Sequence, residues 1–425
     1  AGCFAMRCLP VIAAMTLWAG LSFLARPAGA AEAFELHWQR VVATDFTSKQ
    51  IRGLKRIDVF PDGGIVGVGW WDWGGKFDKT NWVIWVVSLD ADGKRLWEET
   101  FHRGPPGEGT AVAALSDGAV AVAGTVYRKG SPSDLRVLRL DKAGNVVWQK
   151  TLGGTGEDFA ADVTALPGGG LALAGTTSSK GAGGSDFWIL RFAPDGTLVW
   201  ERTFGGGRDD RARTITALAD GRLLVTGAAA LRQGKGGYTA LMLDADGNRL
   251  WDRVLTPVWW PNEVLAIPGG GYLIVDDRPD ATGRASEPDI HVTRLTGDGE
   301  LLWQRSFAIR AEEDDRREVP LGQTRTVMLP DGGFVVGWLQ DLKRGRLLNS
   351  DNQTDRLWLL KMDANGEEIW RRGIAVAPAG ENVATTFWDM KTLPDGRVAL
   401  TGQSWYGWGK EGWRQDVWIR VGRVQ

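Results

Sequence analysis

Hydrophobic and polar positions along this chain follow one pattern that returns about every fifty residues. Each copy reads as an apolar strand, a turn built on Asp-Gly or Pro-Gly-Gly, and a second apolar strand. A loop, a third strand, another Gly turn and a fourth strand ending in Trp complete it. The cleanest copy, from Asp162 to Phe204, is DVTALPGGGLALAGTTSSKGAGGSDFWILRFAPDGTLVWERTF. Strands such as LLVTGA and FWILRF are rich in β-branched, aromatic and aliphatic residues. Many are apolar on both faces, as in sheets covered on both sides. Four strands per period of 40 to 50 residues predict the blades of a β-propeller.

The first turn of the unit falls at Asp62-Gly63, Asp117-Gly118, Pro167-Gly168-Gly169, Asp220-Gly221, Pro268-Gly269-Gly270, Asp331-Gly332 and Asp395-Gly396. The fourth-strand Trp falls at Trp97, Trp148, Trp200, Trp251, Trp303 and Trp370, one fewer. The seventh unit reaches the end of the sequence in its third strand, DVWIRVGRVQ (Asp416 to Gln425). The segment FELHWQRVV (Phe34 to Val42) carries Trp38 and matches the missing fourth strand. The expected fold is therefore all-β. It is a seven-bladed propeller of four-stranded antiparallel blades, closed by the N-terminal strand completing the last blade. Residues 31–425 are read as this single domain. The periodic Trp residues are read as wedges between blades, with the indole N–H bonded to neighbouring backbone.

The N-terminus changes the picture of where the protein works. Arg7 precedes an apolar run from Leu9 to Leu24, and Ala28-Gly29-Ala30 is a small-residue cleavage site. Residues 1–30 are read as a signal peptide, with Met6 as a plausible true start and Ala1 to Ala5 as an over-called beginning. No other segment is apolar enough to span a membrane. The mature chain is expected in a bacterial periplasm or outside the cell. Cys3 and Cys8 both lie in or before the leader, so disulfide and thiol chemistry are excluded from the mature chain. Net charge is −2, and loss of Arg7 and Arg26 with the leader leaves −4. A nucleic-acid surface would need a basic patch that this balance does not provide. The mixed run Glu312 to Arg317 reads as a solvated loop.

The segment GGSDFWILRF-PDG-LVWERTFGG (Gly183 to Gly206) resembles the secreted bacterial β-propeller repeat of surface and periplasmic proteins of unknown function. LDADGKRLW (Leu89 to Trp97) and LDADGNRLW (Leu243 to Trp251) are also similar to the tryptophan-docking repeat. That repeat occurs in quinoprotein dehydrogenases and in the outer-membrane assembly propeller lipoprotein. The resemblance covers the mature chain and implies a scaffold. It carries no substrate.

Function is expected on the face that bears the links between blades and the loops between second and third strands. Blade one carries GWWDWGGKFDKTNW (Gly69 to Trp82) and the last blade GQSWYGWGKEGWRQD (Gly402 to Asp416). These become neighbours when the ring closes, joining Trp70, Trp71, Trp73 and Lys76 to Trp405, Trp408, Lys410 and Trp413. Trp259, Trp260, Trp338 and Trp388 are assigned to the same face. Aromatic platforms among charged side chains suit the C–H faces and hydroxyls of sugars, or a protein partner. The competing reading is a small core that stiffens long loops.

Catalytic signals are sparse. His37, His102 and His291 form no metal-ligand spacing, and no metal or cofactor is expected. Asp158, Asp210, Arg211, Arg213, Glu263, Arg325 and Asp389 are read as lying before the innermost strands and are expected at the mouth of the central channel. Carboxylates there suit glycoside hydrolysis or a lyase as an alternative function. Bonds to neighbouring blades would equally account for them. A quinoprotein-like propeller is the further alternative, from the tryptophan-docking resemblance.

Overall fold

The computed structural model describes residues 34–45, 51–72, 79–101, 104–128, 130–229, 237–256, 263–267, 270–279, 288–308, 324–340, 356–375, 383–409 and 412–425. Residues 1–30, expected as a leader, lie outside them. The first strand is β1 (Phe34–Asp45). Blade one is β2 (Ile51–Val59), β3 (Ile65–Asp72), β4 (Trp82–Leu89) and β5 (Arg95–Phe101). Blade two is β6 (Gly107–Ala114), β7 (Val120–Arg128), β8 (Ser131–Leu140) and β9 (Val146–Leu152). Blade three is β10 (Asp158–Ala165), β11 (Leu171–Thr177), β12 (Asp186–Phe192) and β13 (Leu198–Phe204). Blade four is β14 (Arg211–Ala217), β15 (Leu223–Ala229), β16 (Gly237–Leu243) and β17 (Arg249–Thr256). Blade five is β18 (Glu263–Ala266), β19 (Tyr272–Pro279), β20 (Pro288–Leu295) and β21 (Leu301–Ala308). Blade six is β22 (Arg325–Met328), β23 (Phe334–Gln340), β24 (Arg356–Met362) and β25 (Glu368–Ala375). Blade seven is β26 (Val383–Thr392), β27 (Val398–Gly409) and β28 (Gly412–Val424), completed by β1.

All seven sheets are antiparallel and four-stranded. β1 pairs with β28 from Phe34 opposite Val424 to Asp45 opposite Gln415, so the ring closes as the repeat pattern requires. The first strands of successive blades touch one another around the ring, and β2 touches β26. The core lies between blades. One apolar cluster, for example, joins Leu135 and Val137 of blade two to Leu171, Leu173 and Trp188 of blade three.

The periodic Trp residues lock each blade to the next. Trp97 Nε1 donates to Lys142 O at 2.9 Å, Trp148 to Pro194 O at 2.9 Å and Trp200 to Ala245 O at 3.1 Å. Trp38 does the same across the closure, to Ala91 O at 3.1 Å. Six of the seven rings lie on the left-handed glycine of the neighbour's outer hairpin, and Trp370 instead donates to Gln425 O at 2.7 Å. A Cβ on Gly196 (φ 86°) would stand 2.7 Å from Trp148, and one on Gly366 (φ 79°) 2.5 Å from Trp303. Glycine is needed there twice, for the backbone and for the indole. The fourth strand does not end at its Trp: β5 continues from Trp97 to Phe101. Strand alternation then turns the preceding residue outward on an unpaired edge, and Leu96, Val147, Val199, Leu250, Leu302 and Ile369 are exposed.

Candidate functional site

The first strands of blades one, two, three, four and seven each carry a bulge, which skips Lys55, Thr110, Ala161, Arg213 and Trp388. A bulge bends the strand and re-aims the residues that follow. The residue after it and the one two further on share a face. In blade one these are Arg56 and Asp58, in blade seven Asp389 and Lys391. In blade three the first is Asp162, and Glu263 and Arg325 occupy the same register in blades five and six.

Together they form a charged cluster at the centre of the ring. Arg325 Nε donates to Trp388 O at 2.8 Å and lies 3.6 Å from Asp389 Oδ1, both side chains being sealed from solvent. Arg56 Nη1 reaches the same carbonyl at 3.5 Å. Burial pushes the Arg325 guanidinium down to about 10, with Arg56 and Arg213 adding repulsion and Glu263 and Asp389 opposing it. Burial pulls Lys391 down, but the carboxylates of Asp389, Asp58, Glu263 and Asp162 outweigh it and hold the ammonium above its ordinary range. Burial raises Asp58, Asp162 and Glu263 in turn, with Lys391 opposing in each case.

Each carboxylate also accepts a main-chain amide from the next blade. Asp389 takes Ile57 N at 2.9 Å, Asp58 takes Ala114 N at 2.8 Å, Asp162 takes Ile215 N at 3.0 Å and Glu263 takes Thr326 N. The cluster is therefore a set of inter-blade staples around one ammonium. Among the described residues, no group of three or more His, Cys, Asp or Glu is arranged to hold a metal ion.

Of the residues expected at the channel mouth, Arg213, Glu263, Arg325 and Asp389 come together here. Asp158, Asp210 and Arg211 do not join them. Asp158 is sealed and accepts Gly154 N at 2.9 Å, Ser179 Oγ at 2.6 Å and the Thr177 hydroxyl. Asp210 is sealed and accepts Gly206 N at 2.7 Å. Arg211 is exposed. These two carboxylates shape the blade links, each three residues before the bulge position. Sequence reading missed Arg56, Asp58, Asp162 and Lys391. Their signal was the alternation Arg-Ile-Asp, Asp-Val-Thr and Asp-Met-Lys within first strands.

The aromatic face at the junction of blades seven, one and two has a different construction. Trp70 is buried and stacks on Trp82 with ring centroids 4.5 Å apart, and half-buried Trp405 packs against them and Ile51. Trp71 is half-buried with the Arg52 guanidinium 4.0 Å from its ring. Arg52 Nη1 lies 3.4 Å from Glu98 Oε1, which also accepts Trp85 Nε1 at 2.9 Å. The Arg52 carbonyl accepts the side-chain amides of Gln403 and Gln415 from blade seven. Trp388 Nε1 donates to Gln403 Oε1 at 3.0 Å, which links this face to the channel cluster. Toward blade two, Glu108 accepts Tyr127 OH at 2.6 Å and Lys55 Nζ, and exposed Lys79 stands 5.0 Å from the Tyr127 ring. The charges on Lys55 and the bond from Tyr127 overcome the burial of Glu108 and hold its carboxyl below the ordinary range.

Trp338 belongs to the core between blades five and six, where it stacks on Trp358. Trp73, Lys76, Trp259, Trp260 and Lys410 lie outside the described residues, as do the side chains of Trp408 and Trp413. No described helix is long and apolar enough to cross a membrane.

No protein-family model matches the chain, and no curated protein does. Solved structures similar to it include the α-L-arabinanase of Penicillium chrysogenum complexed with arabinobiose, at 15% identity, 73% of this chain, 92% of that one and a TM-score of 0.46. A protein of unknown function from Bacteroides caccae matches at 15% identity over 70% of this chain and 92% of that one, with a TM-score of 0.41. The endo-arabinase of Bacteroides thetaiotaomicron matches at 10% identity over 60% and 89%, with a TM-score of 0.32. None of these likenesses carries an argument about this chain, whose seven-bladed propeller rests on its own strand pairing.

Proposed function

We propose that this protein is an exported binding propeller that meets a carbohydrate on the aromatic face where blades seven and one join. The observation that carries this reading is the set of half-buried rings, Trp71, Trp405 and Tyr406, on one loop face beside polar side chains. Arg52 on Trp71 and Arg414, 4.7 Å from the Tyr406 ring, hold two of these rings in place. Rings held this way lose little freedom when a sugar stacks on them. The leader supports export. The channel carboxylates favour a binding role over glycoside hydrolysis, because each is already engaged by a backbone amide of the next blade.

The test is a panel of bacterial, algal and plant polysaccharides offered to residues 31–425, read by intrinsic Trp fluorescence and then by assay for cleavage products. Saturable quenching without products is expected. Trp71→Ala and Trp405→Ala should each weaken binding about tenfold or more, as loss of an aromatic anchor does. New reducing ends or unsaturated products would replace this reading with an enzyme.

A further inference from the structure

Two successive junctions carry the same pair of aspartates. Asp134 and Asp158 meet beside Gly153, and Asp186 and Asp210 meet beside Gly205. A Cβ on Gly153 would stand 2.1 Å from Asp134 Oδ1 and 2.8 Å from Asp158 Oδ2. On Gly205 it would stand 1.6 Å from Asp186 Oδ1 and 2.8 Å from Asp210 Oδ2. In both places the second aspartate accepts the amide of the next glycine, Gly154 or Gly206.

The donors around the two pairs differ. Asp158 receives the hydroxyls of Thr177 and Ser179. The strand register puts Ala229 where blade three has Thr177, so that hydroxyl is missing in blade four. Asp186 is 1% exposed. Its Oδ2 accepts Ala182 N at 2.8 Å, while its Oδ1 is sealed and reached by no donor. A sealed carboxylate oxygen without a donor, facing a second carboxylate, is unfavourable as a pair of anions. Burial first, and then the Asp210 charge, hold the Asp186 carboxyl above the ordinary range against the Ala182 amide.

We propose that Asp186 and Asp210 share one proton between Asp186 Oδ1 and Asp210 Oδ2. This carboxyl–carboxylate bond latches the loop at 178–185 to the blade link at 205–210. The neighbouring bonds run the same way. Asp209 Oδ1 accepts Ser185 N at 3.0 Å and Ser185 Oγ at 3.1 Å, and Asp210 N donates to Ser185 O at 2.6 Å.

The charged groups of the packed elements, among the described residues, are the following. The loop offers Lys180, which pairs with Glu201 of β13. Arg202 of β13 stacks on Trp200, and Arg191 of β12 donates to Ala245 O. The link offers Arg208 and Asp209, and β14 offers Arg211 and Arg213. No described lysine or arginine lies within ion-pair distance of Asp186. A calcium ion would need six to eight oxygens, and Gly205 packs directly against Asp186 Oδ1.

The latch works by one reversible step. As pH rises, the shared proton passes to water, two carboxylates remain, and their repulsion frees the loop. The stabilisation is complete in acid and is lost as pH rises through the value of the folded pair.

The test uses the full chain. Carbon-13 NMR of labelled aspartate follows the Asp186 carboxyl, and hydrogen exchange follows the Ala182 and Gly206 amides, corrected for the intrinsic effect of pH. Asp186 should titrate above ordinary aspartate, and protection of both amides should fall roughly tenfold across that transition. Asp186→Asn, whose amide can donate to Asp210, should keep protection at every pH, whereas Asp186→Ala should lose it throughout. Titration of Asp186 in the ordinary range would overturn the proposal. So would Asp186→Asn exchanging as fast as Asp186→Ala, or protection restored by calcium rather than by acid. If Asp186→Ala does not fold, the titration and the Asn variant decide.

Discussion

Blades one and three carry the same Trp–Glu pair in the same register, Trp85 with Glu98 and Trp188 with Glu201, and cover it differently. Both indoles donate to their glutamate at 2.9 Å. In blade three the cation above is Lys180 from the loop, 4.8 Å from the Trp188 ring, and the Lys180 and Glu201 side chains are 38% and 37% exposed. In blade one the cation is Arg52 from the innermost strand, between Trp71 and Trp85, with Arg52 17% and Glu98 22% exposed. The Trp–Glu pair is thus a part of the blade. The layer above it is what varies: a solvated lysine in one place, a clamped arginine under a further aromatic ring in the other.

The comparison breaks most visibly at the shared pair. Trp85→Ala and Trp188→Ala should each cost about 3–5 kcal/mol in urea unfolding, since both rings are fully buried. A large loss in one blade and a small one in the other would show that the pair is not a common building unit.

The channel ties the two blades together, because Asp58 of blade one and Asp162 of blade three both act on Lys391. Lys391→Met should cost about 2 kcal/mol near neutrality, less than a fully sealed ion pair because Lys391 is only partly buried. The pH dependence has a definite sign. Lys391 is held above the ordinary lysine value, so its contribution is complete below that value and is lost as pH rises through the folded one. Asp58 and Asp162 are held above ordinary aspartate, so theirs is complete in acid and is lost as pH rises through their folded values. Melting temperature against pH should fall on the alkaline side in the native chain, and the lysine part of that fall should vanish in Lys391→Met.

The smallest effect separates the coverings themselves. Arg52→Ala should cost about 2 kcal/mol, as a desolvated cation over an indole does. Lys180→Ala should cost less than about 1 kcal/mol, because that pair is solvated and screened. Equal losses would remove the distinction between a built face and an ordinary surface.

Much of the aromatic face was legible as a Trp-rich loop pair, but its division into packing and presented rings was not. Trp70 and Trp71 are adjacent in β3 and differ in burial, because strand alternation sends them to opposite sides. The loop between Trp71 and Trp82 gave no hint that Arg52, on another strand, would stack there. Trp338 looked like its loop-face counterparts in composition and is core, since its ring meets Trp358 between blades five and six. Asp158 and Asp210 looked like Glu263 and Asp389 by their place before the first strands. In blades three, four and seven the bulge decides between them, while Glu263 reaches the same register in a strand without a described bulge. Residues after it face the axis, while those before it turn into the loops.

The blade count, the closure by Phe34 to Val42 and the wedge role of the periodic Trp residues were determined by the chain alone. Each is a local pattern repeated many times, and repetition averages away the ambiguity of any one strand. The charged cluster around Lys391, the Arg52 clamp and the two aspartate pairs were decided only by the tertiary structure. The charged cluster and the aspartate pairs join different blades and the clamp joins different strands of one blade, so side chains about 20 to more than 300 positions apart meet only through strand pairing, ring closure and bulge geometry. No periodicity records that.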